Sequence, residues 1–306
     1  MPSTAQRDDQ DPEKIIGWQI HQLSKLTEFV QKVTTSVARE PAQVFEKALL
    51  ELDELRLIAG NVAAEGVKLF LWTLGYTLQP SGRQETRIEG ANRWLSEFVK
   101  REGSTAKMAK IINNTLAELV RQPSFAQALV TVNFVSVPAM WTALECLARD
   151  LWVHSLNNSS ASVAHKAFRA LESDDIQRKF IAVSDLAKYG FDVRHRVGNI
   201  LASKFIFTDF EGIRRAFRVL HPTSNLTSDT NARALFLLEK TRHLIVHRAG
   251  FIDEKFKRET GERGPIDTRI TLTAEEMQEW IDAVIVVGMK MIRMVDSHHH
   301  SNPRPA

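Results

Sequence analysis

Apolar residues recur along this chain at three- and four-residue spacing, the period of a helix with one buried face. Ile16, Ile20, Leu23, Leu26 and Val30 form one such stripe and predict a helix beginning near Pro12. Pro41 suits the first turn of a second, which carries Val44, Leu49, Leu52 and Leu55 and stops near Gly60. Further helices are predicted over 62–74, 90–100 and 105–120, with 79–86 a polar loop holding Pro80 and Gly82. Pro123 and the stretch 132–138 interrupt the pattern, and a domain boundary is placed there.

The second half opens with an amphipathic helix over 138–156, containing Trp141, Leu144, Leu147, Leu151 and Trp152. Shorter helices are predicted over 162–171, 173–188, 198–205 and 210–219. Asp229 is placed as the cap of a long helix that ends at Ala249, with Gly250 as its stop. The alternation around Ile270 and Leu272 suggests an extended stretch over 268–272. Thr273 followed by Glu276 has the form of a capping box and launches a last helix to Val295. The expected fold class is all-α: a disordered tail over 1–12, a helical N-terminal domain over 13–130, a helical bundle over 135–296 and a disordered tail over 297–306.

Composition narrows the setting. Hydrophobic residues make up 43% and charged residues 25% of 306, an ordinary globular balance. A net charge of +3 permits an anionic partner without demanding one. Cys146 is the single cysteine, so no intrachain disulfide is possible, which suits a reducing compartment. The segment Met1 to Glu13 lacks the basic start and apolar run of a signal peptide, and the run Ala283 to Met289 is too short to span a bilayer. The expectation is a cytoplasmic protein without a membrane partner. The run His298-His299-His300 reads as part of a polar tail.

Candidate chemistry concentrates at the end of the long helix, Arg242-His243-Leu244-Ile245-Val246-His247-Arg248-Ala249-Gly250. One account is structural: basic residues in a last turn complement the helix dipole, a glycine stops the helix, and Leu244, Ile245 and Val246 are core. It leaves Arg242 and His243, a turn earlier, unexplained. A second account is metal binding, since His243 and His247 share a helix face. Leu244 stands where a zinc protease has Glu, and no Cys pair supplies further ligands.

A third account is a family likeness. Arg242, His243 and His247 fill the Arg, polar and His places of the motif of HEPN ribonucleases, so this segment resembles that family's active site. The following stretch Arg248 to Phe256 is similar to the family's sequence after its motif. Ala143-Leu144-Glu145 through Asp150-Leu151 resembles its first core helix. The likeness covers about 135–296, with 157–229 longer than a minimal bundle needs; the first half resembles no family. It implies an endoribonuclease with no metal or cofactor, a toxin or antiviral-defence effector in biological role. The partners implied are RNA, a second copy of the chain, and an antitoxin or trigger protein. Two other readings stand beside it: a catalytically silent HEPN module that binds RNA or protein, and an all-α interaction protein with no nucleic-acid role.

The residue types suit RNA cleavage. RNA carries its own 2′-hydroxyl nucleophile, so a base, an acid and positive charge suffice. His serves proton transfer near neutral pH, and Arg grips phosphate oxygens in a fork. Arg242 and His247 lie roughly 140° apart around a helix and about 7.5 Å along it, which favours a site pooled from two helices about a two-fold axis. His243 is a phosphate contact, a residue that orients Arg242, or an interior histidine. Glu145 and Asp150 are candidate positioning partners, and Cys146 reads as core. Arg248, Arg214, Arg215 and Arg218 are candidate RNA contacts, the last three in a basic cluster that begins at Arg194 and is interleaved with Phe205, Phe207, Phe210 and Phe217. The phenylalanines read more readily as core.

Overall fold

The computed structural model describes residues 22–79, 84–101, 121–173, 181–222 and 225–301, with part of 103–118. The predicted tail over 1–12 and the helix start near Pro12 lie outside these residues, as do 302–306. Among the described residues every regular element is helical: α1 Leu23–Gln31, α2 Ser36–Thr77, α3 Gln84–Lys100, α4 Pro123–Asn157, α5 Ala161–Ser173, α6 Val183–Ala187, α7 Val193–Ala202, α8 Phe210–Leu220, α9 Asp229–Arg248, α10 Glu254–Thr260 and α11 Ala274–Ser301.

Several expected boundaries are absent. Pro41 lies inside α2, which runs on past Gly60, and Pro138 lies inside α4, so the helix is unbroken where the sequence predicts a boundary. Residues 268–272 form no strand; a single antiparallel bridge joins Arg269 to Phe251. The His298–His300 run is helical, not a tail, and His299 is only 7% exposed. Ser228, not Asp229, caps α9, its hydroxyl accepting the Asn231 N–H. The capping box is present: the Glu276 N–H donates to Thr273 Oγ1 and the Thr273 N–H donates to Glu276 Oε2.

Contacts divide the described residues into two compact units, one within 53–133 and the other of 22–52 with 134–301. The division read from the sequence, 13–130 and 135–296, thus differs for 22–52, which belong with the second half. In the first unit the Trp72 indole N–H donates to Asn92 at 2.8 Å, and Arg87 lies over the Tyr76 ring at 4.1 Å. These contacts join α2 to α3, around the buried Leu71 and Ala91.

The second unit has the larger core. Trp141, Leu144, Ala148, Leu151 and Trp152 of α4 are fully buried, at three- and four-residue spacing. Around this stripe α9 packs on α11, α11 on α1, α8 on α5 and α9, and α5 on α7. The Trp152 indole N–H donates to the Ala216 carbonyl, giving a buried polar atom its partner. α4 is a described helix long and apolar enough to cross a membrane by length and composition. Half of that stretch is buried inside the protein, as in a core helix.

One glycine sets the approach of α7 to α4. A Cβ on Gly198 would lie 2.3 Å from the Val153 carbonyl oxygen and 2.8 Å from its Cα, backbone atoms that cannot swing away. The Gly198 N–H donates to Asn157 Oδ1 at 2.8 Å, and the Asn157 amide donates to Asn199 at 2.7 Å, fixing the crossing. Gly198→Ala is therefore expected to destabilise the fold by about 3 kcal/mol, at the upper end of ordinary overpacking. A wild-type midpoint in urea unfolding would contradict this close contact.

Candidate functional site

The end of α9 forms one wall of a cleft of about 450 Å³. Arg242, His243, His247 and Arg248 all line it, together with Lys240 and Lys255. The helix stops in the way its sequence implies. Ala249 adopts the left-handed conformation at φ 51°, and its N–H and that of Gly250 turn back to the Leu244 carbonyl. Gly250 has φ 83°, and a Cβ there would meet the Phe134 ring at 2.4 Å, so glycine is required both by backbone and by space. The chain then folds over the cleft. The Ile252 N–H donates to the Thr268 carbonyl and the Ile270 N–H to the Gly250 carbonyl, each at 2.9 Å, and Asp253 caps α10 by accepting from the Phe256 N–H.

His243 and His247 sit side by side, ring centroids 4.4 Å apart, and both are exposed. The interior-histidine alternative for His243 is thereby corrected: helical phase turns this residue out. Partial desolvation in the cleft wall, then the neighbouring His247, Lys255, Lys240 and Arg242, push its imidazole below the ordinary value. Leu244 is buried, as expected of core, but Val246 is 52% exposed. Helix-end capping explains Gly250, Leu244 and the last-turn cations His247 and Arg248, and leaves the exposed His243 and Val246 without a role. Among the described residues no group of three or more His, Cys, Asp or Glu is placed to hold a metal ion, so the histidine pair has no third ligand there.

Arg242 is half-buried and faces Glu145 of α4, Nη2 to Oε2 3.9 Å, with both side chains 25% exposed. Glu145 thus lies beside the motif. Asp150 does not: its charged neighbours are His154, Arg149 and Glu40, and burial pushes its carboxyl up. Cys146 is exposed rather than core, because it lies one residue off the buried stripe of α4. Partial desolvation beside the helix surface, then Asp150 and Glu145, push its thiol up, away from a nucleophilic thiolate.

The remaining predicted RNA contacts divide. Arg248 reaches Asp253 at 3.6 Å and Asp267 at 3.7 Å at the rim of the cleft. Arg214, Arg215 and Arg218 lie on α8 and do not line it. Glu211 engages Arg214 at 2.9 Å and Arg215 at 3.4 Å. Phe207, Phe210 and Phe217 are buried, and Phe205 packs against Trp152 at 4.6 Å, so these aromatics serve the core.

Several cleft residues were not read from the sequence. Lys240 pairs with Glu239 at 3.6 Å and Glu259 at 3.2 Å, and Glu239 also accepts the Phe210 N–H at the start of α8. Asp209, Glu239, Asp253 and Glu259 place four carboxylates among the four cations Lys240, Arg242, Arg248 and Lys255. The cleft is therefore internally charge-balanced. Lys240, Arg242 and Arg248 are already engaged by carboxylates, so an anion entering the cleft competes for them.

No protein-family model matches the chain, and neither the curated proteins nor the solved structures give a match.

Proposed function

We propose that this chain is a HEPN-type endoribonuclease, acting without metal as a homodimer in the cytoplasm and serving as a toxin or antiviral-defence effector. The observation that carries the proposal is the convergence of Arg242, His243 and His247 on one cleft, with Glu145 against the guanidinium. In the proposed reaction a neutral His247 takes the 2′-hydroxyl proton as the 2′-oxygen attacks phosphorus. The P–O5′ bond breaks, and the protonated His247 of a second protomer supplies the proton to the leaving 5′-oxygen. The products are a 2′,3′-cyclic phosphate and a free 5′-hydroxyl. Arg242 neutralises the charge that builds on the phosphorane oxygens, which a planar guanidinium does better than an ammonium. Glu145 keeps Arg242 turned to the cleft, acting through it rather than on RNA.

The test is incubation of the purified protein with mixed RNA in EDTA, beside His247→Ala. Cleavage to cyclic-phosphate ends that the substitution abolishes is expected. RNA binding without cleavage would favour a silent RNA-binding module, and neither binding nor cleavage an interaction protein.

The second-copy requirement has its own test. Val246 shares the exposed face with both histidines, and a half-exposed valine beside catalytic groups fits burial against a partner helix. Val246→Asp is expected to give a monomer by sedimentation and to lose RNA cleavage, while leaving the helical circular dichroism unchanged. A fully active monomer would refute the pooled site.

A further inference from the structure

A second cavity, of about 660 Å³, opens away from the motif, between α4, α5 and α7. Its walls include Leu156, Ala164, Phe168 and Val197, with Leu156 and Val197 almost fully buried. Arg194 and His165 stand at its edge, both exposed, and no carboxylate among the described residues lines it. The volume falls in the range of about 300–1,000 Å³ typical of small-molecule sites, where apolar walls surround a few polar groups.

The position of Arg194 is not explained by helix stability. It lies in a short first turn that the non-helical Arg196 (φ −125°, ψ 16°) separates from the rest of α7, so no helix bond or dipole fixes a cation there. The N-cap carboxylate Asp192 is engaged by the backbone N–H and ring of His195, each at 3.1 Å, and leaves Arg194 uncompensated. A guanidinium at the edge of an apolar cavity, with no acid among the described residues of the wall, is complementary to one kind of occupant. It pairs with an anionic head while the walls take an apolar body.

We propose that this cavity binds a small amphipathic anion, with its apolar part against Leu156, Phe168 and Val197 and its anionic head on Arg194. His165 lies beside the head. The site is independent of the nuclease reading.

Isothermal titration of the full chain with octanoate, 1-octanol and inorganic phosphate tests it. Octanoate is expected to saturate one site, with octanol and phosphate at least ten-fold weaker. Arg194→Gln, at an exposed position, is expected to weaken octanoate at least ten-fold. Ala164→Phe, which fills the cavity and keeps the charge, is expected to abolish binding. Octanol as tight as octanoate would overturn the anionic head, and phosphate as tight would overturn the apolar body. No octanoate binding, or binding unchanged in both variants, would overturn the site altogether.

Discussion

His247→Ala is expected to lower the rate of RNA cleavage by about 10³-fold or more, because one substitution removes both proton-transfer groups from a two-fold site. Each such group contributes roughly 10²- to 10⁴-fold, and groups acting as a unit do not add. His243→Ala separates a neighbouring role from a proton-transfer role. The His243 imidazole is held below its ordinary value, so it stays neutral to lower pH than a free histidine. It therefore adds no acid limb above about 6.5 to the pH–rate profile. The wild-type enzyme is expected to give a bell-shaped profile set by an acid and a base, and His243→Ala to keep that shape with a smaller loss of rate. A loss as severe as that of His247→Ala, with the bell collapsed, would make His243 the base.

The centre of this site was legible in the sequence because its signals are local. Arg242, His243 and His247 lie on one helix, and Gly250 stops that helix with ordinary cap chemistry, although its first cap is Ser228 and not the adjacent Asp229. Glu145 was legible as a candidate only through likeness, since its proximity to Arg242 is made by packing of α4 against the rest of the unit. The carboxylates that balance the cleft were not legible at all. Asp209, Glu239 and Asp253 come from separate elements; locally the two aspartates read as caps and Glu239 as a helix-surface charge.

The prolines failed as boundaries for a related reason. A proline inside a helix removes a hydrogen bond and costs about 3 kcal/mol, so local propensity argues for a break at Pro138. The fully buried Met140, Trp141 and Leu144 that follow it bring enough apolar burial to hold the helix through. The C-terminal histidines were misread on composition, although periodicity carried the answer. Ile292, Val295 and His299 continue one buried stripe at three- and four-residue spacing.

That stripe predicts a marked loss of stability in acid. His299 Nε2 lies 2.9 Å from the buried Ser155 hydroxyl, and the His298 ring stands edge-on to His221 at 5.1 Å and to His299 at 5.1 Å. Burial, followed by the neighbouring His298 and His299, lowers the His221 imidazole to about 4. Burial, followed by His298, lowers His299 to about 4 against a small opposing pull from Asp296. Both values are depressed in the folded state, so the stability they represent is complete above about 6.5 and is lost as pH falls toward 4. By pH 4.5 the loss is about 2 kcal/mol for each histidine, a large part of a typical folding free energy of roughly 5–15 kcal/mol. Asp296 extends the effect to lower pH. Burial alone would raise its carboxyl, but hydrogen bonds from Thr34 and Thr35 outweigh burial and hold it low, so its contribution disappears below the range in which the histidines titrate. Urea unfolding at pH 7 and pH 4.5 measures the difference. His299→Gln, which keeps a donor and acceptor near Ser155 and removes one titrating ring, is expected to recover about half of it. Equal stability at the two pH values would show that these rings are hydrated rather than packed in the end of α11.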